Sequence, residues 1–290
     1  MQLDHEYWHV DVFTRVALRG NGLVVVLHAD DLPADVMQDV TREARQFETA
    51  FLSEVDLGGR TCAVRIFTED EELDFAGHPV LGSAAVLHAL LPEPAAEERW
   101  DLRVARRSIE VRTAAAAGWV DAVMDQGRPE FGPTLGPHQA PRYAEALNLE
   151  PSDLHPALPP QVVSTGLPYL IVPVRAGLER ARIRHAGFED LLAGCGAKFV
   201  YVLDPARPEG RTWDNAGRTE DVATGSAAGP AASYMLHHGV CPAGAPVLLH
   251  QGQYAGRPST IEIRQDQDGL IWVGGAVSQV ATGRFRARIS

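Results

Sequence analysis

The stretch AGHPVLGSAAVLHALL, residues 76–91, and the stretch TGSAAGPAASYMLHHG, residues 224–239, decide how this chain is read. Each opens on a glycine, Gly77 or Gly225, and continues as a helix with small residues along one face. Pro79 stands where a first helical turn accepts proline. Gly77-His78 aligns with Gly225-Ser226. A second echo accompanies the first, because a glycine turn leads into a short apolar strand at Gly20 and again at Gly166. The recurrence predicts a duplicated α+β architecture. Chance recurrence of small residues in helices is the rival reading of equal weight, until the chemistry of helix starts is considered. A helix N-terminus carries unbonded N–H groups and a partial positive charge. Two glycine-led starts facing one another across a cleft would hold a carboxylate by backbone alone.

Outward from these helices the pattern is strand-rich. Strands are expected over 6–13, 23–28, 49–55, 62–68, 109–113 and 119–124. A helix is expected over 33–47, with Val36, Val40, Ala44 and Phe47 as its apolar stripe. Residues 126–141 hold four Pro and three Gly and read as a connector between domains. Beyond them come a helix over 143–149, a strand pair within 162–174, a helix over 188–193 and a strand over 198–204. The halves are drawn at 1–128 and 129–276.

The bulk composition excludes several classes. With 290 residues and 45% hydrophobic content the chain can bury one large core or two modest ones. Its net charge of −12, with Lys and Arg scattered, disfavours nucleic acid. The start MQLDHEYWHVDVF lacks the basic and apolar regions of a signal peptide, and no apolar run nears the ~20 residues a membrane span needs. Cys62, Cys195 and Cys241 are far apart and odd in number, which reads as reduced thiols in a cytoplasmic protein. There is no CxxC or HExxH, no P-loop, and no GxGxxG after a βαβ pattern, so neither metal nor nucleotide cofactor is expected. His237 and His238 are adjacent and would point to different helix faces.

Glu48 is the candidate acid/base. It is expected where the helix of 33–47 gives way to a strand, flanked by Phe47 and Phe51. Desolvation and the carboxyl end of a helix dipole would both favour its neutral form. A solvated surface glutamate is the plainer reading. His78 could hold or polarise a polar group of a substrate, or be a turn residue before Pro79. Asp221 could orient a substrate amine or hydroxyl, pair with His78, or satisfy loop N–H groups. Ser226 lacks the context of a nucleophile.

Taken in order, Val12-Phe13-Thr14 with Arg19-Gly20-Asn21, Glu48-Thr49-Ala50-Phe51 and Phe75-Ala76-Gly77-His78-Pro79 resemble the PhzF-like phenazine-biosynthesis proteins. So do Ser164-Thr165-Gly166-Leu167-Pro168, Glu220-Asp221 with Ala223-Thr224-Gly225-Ser226-Ala227, and Gln251-Gly252 with Gly256-Arg257-Pro258-Ser259. The resemblance spans essentially the whole chain. It implies the diaminopimelate-epimerase fold: two pseudo-symmetric domains, each a curved β-sheet wrapped around a central helix, with the active site between them. The last strand, about 277–290, would return to the first domain. The resemblance also implies Glu48, His78 and Asp221 as the catalytic set, and Gly77, Gly225, Ser226, Asn21 and Thr224 as substrate-binding residues. The activity implied is a cofactor-free isomerisation of a small carboxylate, best known as a double-bond shift on a dihydro-hydroxyanthranilate in antibiotic biosynthesis. A homodimer is a further family-level expectation. Val222 and Gly22 depart from the prolines common in the family, and Glu71 and Asp74 make an acidic loop before Phe75.

Two other readings stay open. One is an amino-acid epimerase of the same fold with a cysteine at each central-helix start, positions held here by Ala76 and Thr224. The other is a non-catalytic binding protein that keeps the fold.

Overall fold

The structure, a computed structural model, describes residues 2–288. The chain divides into two compact units, Met1–Asp125 with Gly274–Ser290, and Gln126–Val273. The first unit opens with β1 (Gln2–Val12), β2 (Asn21–Val26), α1 (Ala34–Ala44), β3 (Glu48–Asp56), β4 (Thr61–Phe67) and β5 (Glu72–Leu73). It continues with α2 (Gly77–Ala89), β6 (Glu98–Val104), β7 (Arg107–Ala116) and β8 (Trp119–Asp125). The second unit holds β9 (Glu130–Thr134), α3 (Ala140–Ala146), β10 (Gln161–Ser164), β11 (Pro168–Pro173), α4 (Phe188–Ala193) and β12 (Phe199–Asp204). Its remaining elements are β13 (Glu209–Arg211), α5 (Gly225–His237), β14 (Val247–Gln251) and β15 (Ser259–Gln265). The long strand β16 (Ile271–Arg288) begins in the second unit and returns to the first.

The same topology is written twice. In the first unit β1–β2 is antiparallel, β2–β3 parallel across α1, β3–β4 antiparallel, β4–β6 parallel across α2, and β6–β7 antiparallel. In the second, β10–β11 is antiparallel, β11–β12 parallel across α4, β12–β13 antiparallel, β13–β14 parallel across α5, and β14–β15 antiparallel. Chance recurrence of small residues does not reproduce five successive pairings in order, so the α+β duplication holds. In the first unit β16 also pairs with β1, which closes the sheet.

Each sheet wraps a buried helix. Residues Gly77 to His88 of α2 are all buried, as are most of those in α5. Small residues permit this. A Cβ on Gly82 would stand 2.4 Å from Leu23 Cδ2, so the helix lies directly against β2. Strand β2, NGLVVV, is buried on both faces. Val24 and Val26 join Phe51 of β3 in a cluster with Val36, Met37 and Val40 of α1. Because side chains alternate along a strand, Leu23 and Val25 of β2, and Glu48, Ala50 and Leu52 of β3, face α2. In the second unit Leu170, Val172, Val200 and Val202 join Phe188 and Leu192 of α4. Tyr169 and Tyr201 are thereby turned toward α5.

Several expectations need correction. The helix expected over 33–47 ends at Ala44, because Arg45 turns into the left-handed region at φ 52°. Phe47 is 42% exposed and belongs to no apolar stripe. The helix expected over 143–149 is Ala140–Ala146. The connector read over 126–141 contains β9, which pairs with β10. Its Pro133 is tolerated because β9 is an edge strand with a ladder on one side only. Strand β6 was not anticipated, although ERWDLRV alternates buried and exposed residues along its length. Among the described residues no helix is long and apolar enough to cross a membrane.

Candidate functional site

In the first unit three predicted residues meet at the start of α2. Asn21 opens β2, Glu48 opens β3, and His78 is the second residue of α2. The parallel rung Leu23↔Glu48 and the strand alternation aim Glu48 at the helix start. His78 is 6% exposed, and its Nε2 lies 3.3 Å from Glu48 Oε2. That approach lacks hydrogen-bond alignment at Nε2. On the other edge of the ring, Asn21 Nδ2 is 3.4 Å from His78 Nδ1. With the amide so placed, Nδ2–H meets Nδ1, and the tautomer that matches this contact carries its proton on Nε2, the edge nearer Glu48. Burial pushes the His78 pKa down to about 3, so the imidazole is neutral at ordinary pH.

Glu48 therefore does not sit at the carboxyl end of a helix. Arg45 to Phe47 separate it from Ala44, and the dipole argument for a neutral carboxyl does not apply. Its neighbour is a buried imidazole N–H instead. At Gly22 a Cβ would stand 2.4 Å from Gln46 Oε1, the tip of a flexible side chain.

In the second unit the start of α5 gathers another set. Thr224 is its N-cap, and Gly225 and Ser226 are its first two residues. Neither Thr224 nor Ala76, the N-cap of α2, bonds into its helix by a side chain. Thr224 Oγ1 donates instead to Asp221 Oδ2 at 2.5 Å, and the Ala223 N–H donates to Asp221 Oδ1 at 3.3 Å. The Tyr169 hydroxyl and Ser226 Oγ are 2.8 Å apart. Burial pushes the Tyr169 phenol well above its usual range, so it stays protonated. Gln126 Nε2 donates to the Gly225 carbonyl at 2.9 Å. Upstream, Arg211 holds Glu220 through Nε and Nη2, and donates through Nη1 to the Leu178 and Glu179 carbonyls.

The structure brings the predicted residues Asn21, Glu48 and His78 together in one unit, and Asp221, Thr224, Gly225 and Ser226 together in the other. Sequence reading missed Tyr169, Gln126 and Gln251, which orient those groups. One signal pointed to Gln251: Val247, Leu249 and Gln251 are the inward positions of an alternating strand. An amide in such a place demands partners. Among the described residues no group of three or more His, Cys, Asp or Glu could hold a metal ion.

Comparison with known proteins agrees with this architecture. A family model described as phenazine biosynthesis-like protein matches residues 10–283. A trans-2,3-dihydro-3-hydroxyanthranilate isomerase of Pseudomonas fluorescens is 34% identical over 265 residues, covering 88% of each chain. A solved structure of a predicted epimerase from Pseudomonas aeruginosa is 47% identical, with a TM-score of 0.90 over 97% of this chain and 99% of that one. A PhzF-family phenazine biosynthesis protein of Bacillus anthracis shares the fold, at 24% identity and a TM-score of 0.80 over 97% and 99% of the two chains.

Proposed function

The chain belongs to the phenazine biosynthesis-like protein family and is an isomerase, and we propose that it shifts a double bond by moving one proton on a small cyclic carboxylate or amino-acid-like substrate. Glu48 is the general acid/base. Its carboxylate takes a proton from one carbon as the double bond moves, becomes the neutral acid, and returns the proton to a second carbon on the same face. No electrons leave the substrate and no co-reactant is needed. The Nε2–H of His78 engages a polar group of the substrate. Asp221, also in the catalytic set, accepts a substrate N–H or O–H and keeps that group in place. The N–H groups of Gly77 and His78, and separately those of Gly225 and Ser226 with Thr224, are assigned to substrate anions. The three cysteines are unpaired, which suits a reducing compartment such as the cytoplasm.

One observation carries the choice of a single base. The duplicated topology gives Glu48 a counterpart: Leu23↔Glu48 is the first rung of β2–β3, and Tyr169↔Phe199 is the first rung of β11–β12. The second copy therefore holds an aromatic ring where the first holds a carboxylate. Likeness to a predicted epimerase favours a second reading, inversion at one carbon. Two-base inversion with thiols finds no support in the residues, since Ala76 and Thr224 stand at the helix starts. The thiol of Cys62 is buried and pushed up to about 12.

The test is Glu48→Gln, assayed with trans-2,3-dihydro-3-hydroxyanthranilate in deuterated water and followed by NMR. The variant keeps size and hydrogen-bonding shape and cannot take up a proton. Turnover is expected to fall at least ~10²-fold with folding intact. A wild-type rate with the same deuterium pattern would overturn the reading. Deuterium entering a stereocentre with no double-bond shift would favour the epimerase.

A further inference from the structure

Gln251 ends β14 and is 1% exposed, with Val247 and Leu249 as the other inward residues of its strand. A buried primary amide is costly unless both N–H groups and both lone pairs are used. Here they are. Nε2 donates to the Asp221 carbonyl at 2.9 Å and to Thr224 Oγ1 at 3.0 Å. Oε1 accepts the Tyr201 hydroxyl at 3.1 Å and the Thr224 N–H at 3.3 Å. The amide cannot flip without placing Nε2 against two donors. Thr224 Oγ1, already accepting from Gln251, must send its own hydrogen to Asp221 Oδ2. The neighbouring Gly252 is moulded to the same loop: at φ +80°, a Cβ on it would lie 2.6 Å from the Val222 carbonyl oxygen and 2.3 Å from that of Arg257.

We propose that Gln251 is a positioning residue, which fixes the direction of the Thr224 hydroxyl and thereby presents the Asp221 carboxylate to the substrate as an oriented acceptor rather than as a proton carrier. The inference rests on the reading that Asp221 binds substrate. Gln251 acts through Thr224 and touches no reacting atom. Its loss should therefore weaken substrate binding and leave the proton transfer at Glu48 intact. It also explains why Thr224 occupies an N-cap position and yet does not cap: its hydroxyl is held in the opposite direction by the amide behind it.

The experiment compares Gln251→Glu, Thr224→Val and Thr224→Ser with wild type, by steady-state kinetics on trans-2,3-dihydro-3-hydroxyanthranilate and by the backbone amide NMR signals of Ala223 and Thr224. Gln251→Glu keeps the shape and the acceptor Oε1, and replaces the donor Nε2 by an oxygen aimed at the Asp221 carbonyl. It is expected to shift both amide signals and to raise KM roughly tenfold with kcat largely kept, the pattern of lost uniform binding. Thr224→Val should do the same should Gln251→Glu not fold, and Thr224→Ser, which keeps the hydroxyl, should lower KM severalfold relative to Thr224→Val. Unchanged amide signals in Gln251→Glu or in Thr224→Val would overturn the proposal. So would a fall in kcat at constant KM, which would give Gln251 a chemical role. If wild type does not turn this substrate over, the functional reading falls, and the amide signals still judge the clamp.

Discussion

Asn21 Nδ2 and His78 Nδ1 are 3.4 Å apart, a contact that matches the imidazole tautomer with its proton on Nε2. Asn21 was read from the sequence as a substrate-binding residue. Its position gives it a prior task, since a donor at Nδ1 leaves Nε2 as the N–H that faces Glu48. Nitrogen-15 NMR of the wild-type ring should show the Nε2–H tautomer. Asn21→Asp replaces a donor by an acceptor. It should draw a proton onto Nδ1, raise the His78 pKa from about 3 toward the ordinary range, and lower turnover by roughly tenfold or more. Unchanged ring signals in this variant would show that Asn21 does not fix the tautomer.

The same histidine makes stability depend on pH. Burial lowers the folded His78 pKa to about 3, against about 6.5 for a solvated imidazole. Between those limits the unfolded chain binds the proton and the folded chain does not, so unfolding takes up a proton as pH falls. Stability from this residue is therefore complete above about pH 6.5 and is lost progressively toward pH 3. The slope for one proton is ~1.4 kcal/mol per pH unit. His78→Gln should flatten the curve of unfolding free energy against pH by up to that amount per unit, whatever its effect on absolute stability. Denaturant melts of both proteins between pH 4 and pH 7 would measure the difference. Parallel curves would show that His78 is not held neutral.

How much of this was legible in the sequence varies with the kind of signal. The two central helices start at Gly77 and Gly225 as read, because a glycine-led run of small residues is a local pattern with a local cause. The end of α1 was misread, because Arg45 adopts a left-handed conformation that sequence reading assigns to glycine. Strand β9 was hidden by its own Pro133, which an edge strand accepts, and by the prolines around it. In the candidate site, Glu48 and His78 were named from their motifs, and the structure brings them to 3.3 Å of one another. Gln251 and Tyr169 as orienting groups were not, since the partners of Gln251 lie 27 to 50 residues away and that of Tyr169 lies 57 away. No spacing rule in a single sequence reports such contacts. Gln251 lay within a recognised motif, and only its burial gave it a role.

Gly20 and Gly22 flank Asn21 and make opposite demands, which gives a paired test of how the site is built. Gly20 sits at φ +69°, and a Cβ there would lie 2.4 Å from the Val12 carbonyl oxygen and 2.6 Å from Thr14 Cγ2. Both the backbone conformation and the close approach exclude a side chain. The obstructing atom is a carbonyl of β1, whose neighbours Asp11 and Val12 are held in ladders on both sides. Gly22 has no such conformation, and its nearest obstacle is the tip of a flexible side chain, Gln46 Oε1. Gly20→Ala should therefore cost about 1–3 kcal/mol of stability through strain and overpacking. Gly22→Ala should cost less than about 1 kcal/mol, because Gln46 can swing away. The double change Gly22→Ala with Gln46→Ala should remove what cost remains, since the two side chains compete for one space. Denaturant melts of the four proteins would decide. Equal losses for Gly20→Ala and Gly22→Ala would mean that crowding alone, and not the left-handed turn before Asn21, governs this corner of the site.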